Sequence, residues 1–545
     1  MKRKLCSGNS ITAEIATWFT DIAGVYPITP STAMAEEFEE ACVKEKVNLF
    51  DSYIKTQEMQ SEAGAIACCH GALLAGKYAT TFTSSQGLLL MIPEMYKIAG
   101  EMLPMVMHVA ARSLSTHALS IYNDHQDVMA VRQTGFYMIC SASVQECYWN
   151  AIKAHLIAIN ENIPVLHFFD GFNTSHKLET IEVLEEDEFK ELVSKLINWD
   201  RVRDFKDSSV LVKPQTIGTN QQYEYAELTR ERLTRYGKAR NAYDTLSEMI
   251  RYMTDLDTGH SAEYYGIANP KKLIVAMGSV CGTVKTLVDM HRQEVSLLQI
   301  NQFRPTIEII RHISNLGDYA EIYVIDRTVE PGAKSPLALD VIDALYSQEW
   351  LIRPMTNKVH VLNIGLSSED ISIEYLENKL ELKPEEQPDI KSILIKGKGS
   401  EGLVTATKWI AEVMFKQGLF VQALSTFSAY KSAGDTLSQL RVSATFNIDI
   451  QSEVKNPTRG YESADFSEAI ARECGIPGKL SSIAATKIIN QLWAWFGFDL
   501  EKAYKDLKDI IAREFRADIA EKNFKAIEMT RDTFVMEDDC NGYFG

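Results

Sequence analysis

The sequence SEAGAIACCHGA at residues 61–72 is followed by TTFTSSQG at 80–87 and by PMVMHVAAR at 104–112. The first segment has helical spacing, small side chains and one carboxylate, Glu62, near its start. The other two segments predict strands, and Arg112 directly follows the second of them. In open α/β sheets, ligands bind beyond the carboxyl ends of the strands. The stretch therefore predicts an α/β sheet with a site at that edge.

Glu62 and Arg112 are the candidate site residues of this stretch. The small neighbours of Glu62 allow another backbone to approach closely, so we expect its carboxyl group to be partly desolvated and able to hold or share a proton. A guanidinium group such as that of Arg112 can bind a carboxylate with two parallel hydrogen bonds. The alternative for both residues is an ordinary solvated surface position, the first favoured by the helix dipole.

Strand-like and helical segments alternate along the chain, which is typical of a parallel α/β fold. A length of 545 residues predicts about three to four domains, and we expect three units, 1–258, 259–386 and 387–545. In the first unit, Trp149 is expected in the core and His155 at the surface of one helix. The charged segment 178–262 is expected to be a long connection to the second unit. The predicted strands lie at 24–26, 78–82, 105–109, 137–140, 164–169, 272–279 and 393–395.

Composition excludes several classes of protein. The net charge of -18 argues against a nucleic-acid surface, which needs clustered lysine and arginine. No apolar run reaches the roughly 20 residues of a membrane helix, and no targeting segment is seen, so a cytoplasmic location is expected. None of the nine cysteines forms a C-x-x-C pair, which indicates free thiols in a reducing compartment and no iron-sulfur cluster bound by this chain.

Five further motifs follow one another in the first half of the chain, namely YPITPS at 26–31, GLLLMIP at 87–93, DHQD at 124–127, RQTGF at 132–136 and HFFDGF at 167–172. In this order they resemble the N-terminal domain of the pyruvate:ferredoxin (flavodoxin) oxidoreductases. The segment IYVIDRTVEPGA at 322–333 resembles the second domain of that family, which is similar to the C-terminal domain of transketolases. The resemblance implies a multi-domain α/β protein with a thiamine-diphosphate-fold pyrimidine-type domain, a transketolase C-terminal-like domain and an abridged gamma-type domain.

Enzymes of this family decarboxylate pyruvate on thiamine diphosphate, pass electrons to iron-sulfur clusters and form acetyl-CoA. The resemblance implies that Glu62 bonds the pyrimidine ring nitrogen of thiamine diphosphate. It also implies that Thr29 and Arg112 hold the carboxylate and carbonyl of pyruvate. The prolines on either side of Thr29 restrict the backbone, and its hydroxyl can donate to an anion.

The chain lacks a Gly-Asp-Gly motif followed by an asparagine, the arrangement that ligates Mg²⁺ on the diphosphate. We therefore expect a beta-type partner chain to supply the diphosphate and Mg²⁺ site and the iron-sulfur clusters, with ferredoxin or flavodoxin reached through that partner. Coenzyme A is expected only in the assembled complex, which is predicted to be homodimeric or larger. The alternatives are a non-catalytic structural or assembly paralogue and a small binding module for coenzyme A or nucleotide.

Two glycine turns are possible phosphate sites, at 277–279 and at 397–402. Fold geometry alone is the alternative for the first. The second resembles the glycine-rich opening of the gamma-type domain, but Lys398, Ser400 and Glu401 depart from its usual form, and an acidic residue makes a poorer anion cradle.

Overall fold

The computed structural model describes residues 1–207, 222–306, 320–346, 358–384, 390–427, 435–444 and 457–540. The strands in these ranges are β1 (Lys2–Cys6), β2 (Ile22–Val25), β3 (Lys55–Glu58), β4 (Ala79–Thr83), β5 (Val106–Ala111), β6 (Tyr137–Ser141), β7 (Val165–Asp170), β8 (Leu178–Val183), β9 (Ala262–Gly266), β10 (Lys272–Ala276), β11 (Val295–Ile300), β12 (Gln302–Arg304), β13 (Glu321–Ile325), β14 (Val359–Leu362), β15 (Lys391–Lys398), β16 (Phe420–Phe427), β17 (Asp435–Ser443) and β18 (Arg459–Glu462).

The helices in the same ranges are α1 (Gly8–Phe19), α2 (Thr32–Val43), α3 (Glu62–Leu74), α4 (Ser85–Leu90), α5 (Ile92–Gly100), α6 (Gln126–Ala130), α7 (Val144–Glu161), α8 (Glu186–Leu196), α9 (Trp199–Lys206), α10 (Gln222–Ala239), α11 (Ala242–Thr254), α12 (Val280–Met290), α13 (Pro336–Tyr346), α14 (Ile373–Lys379), α15 (Leu403–Lys416), α16 (Glu468–Glu473), α17 (Ser481–Phe496), α18 (Leu500–Glu514) and α19 (Ala517–Cys540). Helices and strands alternate along most of the chain, as the sequence predicts.

The first sheet has the strand order β12-β6-β7-β5-β4-β2-β3. Its strands are parallel except β12, which pairs antiparallel with β6. Strands β4 to β7 are buried along their whole length. Their sequences are therefore continuous, mainly apolar runs and do not alternate between apolar and polar residues. The five strands predicted between 24 and 169 and the helix predicted at 144–156 are confirmed.

The second sheet has the order β14-β13-β10-β11-β9, with β9 antiparallel at one edge. The predicted strand at 272–279 ends at Ala276, where a glycine turn leads into α12. The third sheet has the order β1-β8-β16-β17-β15-β18 and is largely antiparallel. A separate apolar core lies between that sheet and the helices α15, α17 and α18.

Long-range pairing joins segments that the sequence assigns to different units. Strands β1 and β8 come from the first 183 residues, yet they complete the sheet whose other strands follow residue 390. Strand β8 also corrects the expectation that residues 178–262 only connect two units, because residues 178–183 form a buried strand. The boundaries at 258 and 386 stay a prediction. The resemblance to the family also implies that the gamma-type domain is shortened between 441 and 467; residues 445–456 of that stretch lie outside the described residues, so the shortening stays a prediction.

Two other sequence expectations have a clear outcome. Trp149 is buried as predicted, but His155 is also buried, at 4% exposure, so its predicted surface position is wrong. Its ring stacks on Phe19 with centroids 4.8 Å apart. Among the described residues, no helix combines the length and the apolar character of a membrane span.

Candidate active site

The three candidate residues all follow strands of the first sheet, at its carboxyl edge. Thr29 lies just after β2, Arg112 follows β5, and Glu62 begins the helix that comes after β3. Strands β2, β4 and β5 are consecutive in the sheet. The predicted edge of the sheet is therefore the edge that carries them.

The structure brings Arg112 and Thr29 together. The Nη1 group of Arg112 donates to the backbone carbonyl of Thr29 at 2.8 Å, and Nε donates to the carbonyl of Ser120 at 2.9 Å. Burial lowers the pKa of Arg112, and the charge of Asp127 opposes that shift. No carboxylate of the described residues forms an ion pair with this guanidinium. Arg112 is thus a buried cation held by two neutral carbonyl groups.

Contacts with Pro30 fix the backbone of the turn that carries Thr29, while Thr29 itself is exposed. Asn9 donates its side-chain amide to the carbonyl of Pro30 at 2.8 Å. Gly171 packs so closely on this turn that an added Cβ would lie 2.6 Å from the Cγ of Pro30. The backbone of the turn is therefore held while the Thr29 side chain remains accessible.

Glu62 is the first residue of α3 and is 7% exposed. The hydroxyl of Ser61 caps the helix by accepting from the backbone N–H of Gly64 at 3.2 Å. A Cβ added to Gly87 would lie 2.8 Å from Oε1 of Glu62, which confirms that another backbone approaches this carboxyl closely. Within the described ranges, no group hydrogen-bonds the Glu62 carboxyl. It is available to a ligand.

Asp127 is a residue of this site that sequence reasoning missed. It is fully buried in the first turn of α6, and its carboxyl group accepts backbone hydrogen bonds from Ser85, Arg112 and Val128. Burial raises the pKa of Asp127 to about 8, although the three hydrogen bonds oppose the shift. The available signal was the acidic residue at the helix start in the motif DHQD.

A second buried polar cluster joins the first and second sheets next to this site. Asp170, at the end of β7, pairs with His125 at 2.9 Å and with Arg327, which follows β13. Burial tends to raise the pKa of Asp170, but the charges of Arg327 and His125 outweigh it and hold that pKa well below its usual range. Arg327 also donates to the backbone carbonyl of Asn123 at 3.3 Å.

The second unit also contacts the loop that orients Arg112. Ser367 donates its backbone N–H to Asp124 at 3.2 Å, and its hydroxyl bonds the hydroxyl of Ser120. The carbonyl of the same Ser120 holds the Nε group of Arg112. Residues from both units therefore set the position of the guanidinium.

Both glycine turns proposed as possible phosphate sites bind an internal carboxylate instead. In the first turn, the backbone N–H of Ser279 donates to Oδ2 of Asp170 at 2.7 Å. In the second, the backbone N–H of Lys398 donates to Oε2 of Glu401 at 2.7 Å. Fold geometry accounts for the first turn, and Glu401 occupies the donor of the second. Neither turn offers these N–H groups to a phosphate.

Metal-ligating side chains are dispersed in the described part of the chain. No group of three or more histidine, cysteine, aspartate or glutamate side chains there is arranged to hold a metal ion. Of the nine cysteines, the eight from Cys6 to Cys474 are free thiols, and six of these eight are buried.

Three family profiles match the chain in order. Residues 16–248 match the profile described as "Pyruvate flavodoxin/ferredoxin oxidoreductase, thiamine diP-bdg", which covers all three candidate residues. Residues 271–371 match "Pyruvate:ferredoxin oxidoreductase core domain II". Residues 392–458 match "Pyruvate ferredoxin/flavodoxin oxidoreductase".

Individual proteins give the same result. The pyruvate-flavodoxin oxidoreductase of Klebsiella pneumoniae is 39% identical over 81% of this chain and 40% of its own length. The pyruvate:ferredoxin oxidoreductase of Moorella thermoacetica is 37% identical over 81% of this chain and again 40% of its own length. The chain thus spans about two fifths of these relatives. A pyruvate-flavodoxin oxidoreductase of Nostoc sp. is 40% identical over 62% of this chain and 84% of that protein.

A solved structure shares the fold. The 2-oxoglutarate:ferredoxin oxidoreductase of Magnetococcus marinus superposes with a TM-score of 0.53 over 70% of this chain and 65% of that chain, at 17% identity. Ordered profile matches along the chain and identities near 40% to named relatives lead to one conclusion: the chain belongs to the family of pyruvate:ferredoxin and pyruvate:flavodoxin oxidoreductases.

Proposed function

We propose that this chain supplies the pyrimidine side and the substrate-carboxylate side of a thiamine-dependent site that oxidatively decarboxylates pyruvate. The observation that carries the proposal is Arg112, a buried guanidinium with no carboxylate partner among the described residues. A buried cation is costly unless it is paired, so the site is completed by an anion. A small 2-oxo acid brings such an anion in its carboxylate.

Arg112 and Thr29 are the residues of this chain that bind the keto acid. Arg112 has N–H groups left over after its bonds to the carbonyls of Thr29 and Ser120, and these suit a carboxylate with two oxygens. The exposed hydroxyl of Thr29 lies on the turn that Arg112 contacts and can donate to an oxygen of the same substrate. These two residues bind and orient the keto acid.

Glu62 fits the pyrimidine end of thiamine diphosphate. Its carboxyl is largely buried, lies against the Gly87 backbone and has no hydrogen-bond partner among the described residues, so it can hold a proton at the ring nitrogen of the cofactor. Thiamine diphosphate, when bound, supplies the nucleophilic carbon and the electron sink for decarboxylation. Glu62 sets the protonation and orientation of the group that does this.

A beta-type partner chain supplies the remaining parts of the active site and of the electron path. That partner brings the ligands for Mg²⁺ and diphosphate and the iron-sulfur clusters, and it passes electrons to ferredoxin or flavodoxin. Coenzyme A acts in the assembled complex, which is homodimeric or larger and cytoplasmic. The curated relatives extend well beyond the two fifths that this chain matches, which supports the need for further polypeptide.

The test uses the complex purified from its own cells through a tag on this chain. We expect thiamine diphosphate in the preparation and pyruvate-dependent reduction of a low-potential dye. Glu62→Gln is expected to lower turnover by about 100-fold or more, the range of a lost acid-base group. Arg112→Ala is expected to raise the KM for pyruvate while cofactor content is retained.

Glu40→Gln is the matched control, because Glu40 is an exposed glutamate whose ion-pair partner among the described residues is the surface residue Lys44. Its turnover should match the unaltered complex. A tagged complex without thiamine diphosphate and without pyruvate-dependent reduction would instead identify a structural or assembly paralogue.

A further inference from the structure

One buried carboxyl group connects the two sides of the candidate site. Oδ2 of Asp127 accepts from the backbone N–H of Ser85 at 2.8 Å and from that of Arg112 at 3.0 Å. Its Oδ1 accepts from Val128 at 2.7 Å, which ties the carboxyl to its own helix. The carboxyl therefore joins the start of α4 to the end of β5.

Each of these two attachments leads directly to a site residue. Ser85 begins α4 with a backbone φ of 51°, and two residues later Gly87 packs against the Glu62 carboxyl. On the other side, the Asp127 bond fixes the backbone from which the Arg112 side chain extends. A single carboxyl group thus fixes the backbone that leads to Gly87, beside Glu62, and the backbone that carries the Arg112 guanidinium.

Asp127 lies near groups of both charges. Arg112 and Asp124 interact electrostatically with it, the first with opposite and the second with like charge. Burial raises the pKa of Asp127 to about 8 against the opposing effect of its three backbone hydrogen bonds, so the carboxyl group loses its proton as the pH rises through that range. When it ionises, a negative charge appears near a guanidinium that otherwise has neutral partners.

We propose that Asp127 is a positioning residue that fixes the Gly87 backbone beside Glu62 relative to Arg112, and that the negative charge of ionised Asp127 weakens the binding of a carboxylate by Arg112. The contacts of Asp127 with Ser85 and Arg112 are observed in this chain and do not depend on the proposed function. The part that concerns the substrate carboxylate rests on the proposed function.

The first measurement needs no substrate. Protein labelled with ¹⁵N at arginine Nε is followed by NMR between pH 6 and 9.5, and Arg112→Lys identifies the Arg112 signal by its loss. We expect that signal to shift with a midpoint near pH 8 in the unaltered chain. The shift should disappear in Asp127→Asn.

Asp326→Asn is the matched control. Asp326 is also a buried carboxyl whose pKa is raised by burial and which accepts backbone bonds, from Leu337 at 2.8 Å and Ala338 at 3.3 Å, but it lies after β13 in the second sheet. The Arg112 titration should persist in this variant. A purely structural effect of losing a buried carboxyl would alter both variants alike.

The second measurement uses the tagged complex. The KM for pyruvate is expected to rise about tenfold between pH 7 and pH 9, and this rise should be absent in Asp127→Asn. An Arg112 signal that stays constant from pH 6 to 9.5 in the unaltered chain overturns the proposal, even if Asp127→Asn does not fold. A titrating Arg112 signal in a complex that never uses pyruvate retains the Asp127 role and overturns the proposed function instead.

Discussion

Replacing Arg327 with leucine tests whether the buried pair with Asp170 holds the first and second sheets together. Arg327 is 3% exposed and Asp170 is fully buried. The guanidinium also donates to the hydroxyl of Ser279 and to the carbonyl of Gly365, both at 3.3 Å. Arg327→Leu removes these bonds and leaves the Asp170 carboxylate with His125 as its remaining side-chain partner of opposite charge.

The expected cost follows from the burial of the charge left behind. Removing one partner of a buried ion pair costs about 3–5 kcal/mol, because the other charge remains desolvated. For a unit of about 200 residues, 1 kcal/mol corresponds to roughly 2–4 °C in Tm. We therefore expect Arg327→Leu to lower the Tm of the affected transition by about 6–20 °C.

The assay is differential scanning calorimetry at pH 7, with Arg132→Leu as the control. Arg132 also crosses between the two units, pairing with Glu330 at 2.9 Å, but the two side chains are 19% and 38% exposed. A pair this accessible contributes about 0.2–1 kcal/mol. Arg132→Leu should consequently lower Tm by less than about 4 °C.

The pH dependence has a definite sign. A carboxyl whose pKa is held below its unfolded value contributes stability above that unfolded value, and the contribution is lost as the pH falls through the folded pKa. In Arg327→Leu the main cause of the lowered pKa is gone, so protonation of Asp170 on mild acidification should narrow the Tm gap to the unaltered chain. The double variant Asp170→Asn with Arg327→Leu should recover part of the loss. A Tm for Arg327→Leu no lower than that of Arg132→Leu would refute the reasoning.

Two further predictions concern a close contact and a buried amine. Gly87→Ala places a methyl group 2.8 Å from Glu62 and Thr83, so we expect about 1–3 kcal/mol of destabilisation in urea unfolding, whereas Gly71→Ala, with nothing within 4 Å, should stabilise α3 by about 0.5–1 kcal/mol. Burial lowers the pKa of Lys153 to about 7 while an unfolded lysine stays protonated to near pH 10, so stability should rise by about 2 kcal/mol from pH 7 to 9. Lys153→Met should abolish that rise, and a Tm profile of the same shape in both proteins would contradict it.

Local sequence patterns carried much of the fold. Period and composition placed five of the seven strands of the first sheet and the helix at 144–156, because hydrophobic runs and turn residues indicate local structure directly. The same reasoning put Arg112 at the end of a strand, where the edge of a parallel sheet binds ligands. Thr29, and its place in one site with Arg112, was implied by the resemblance to the family.

Burial of polar residues was harder to predict. His155 was expected at the surface, yet it is buried within hydrogen-bond distance of His108, and burial lowers its pKa to about 3. A polar side chain is stable inside only if a partner meets it there. That partner is 47 residues away in the chain, so no local pattern could indicate it.

The sequence by itself determined the α/β class, the family and the placement of Thr29, Glu62 and Arg112 at strand or helix ends. The tertiary structure decided that Asp127 ties the walls of the site together, that β1 and β8 join a sheet formed mostly by distant strands, and that the glycine turns bind Asp170 and Glu401 instead of offering an anion cradle. The physical reason is the distance along the chain over which each effect acts. Periodicity and turn chemistry act over a few residues, whereas a buried charge is placed by whatever opposite charge or donor the folded chain brings to it, here from 157 residues away in the pair of Arg327 with Asp170.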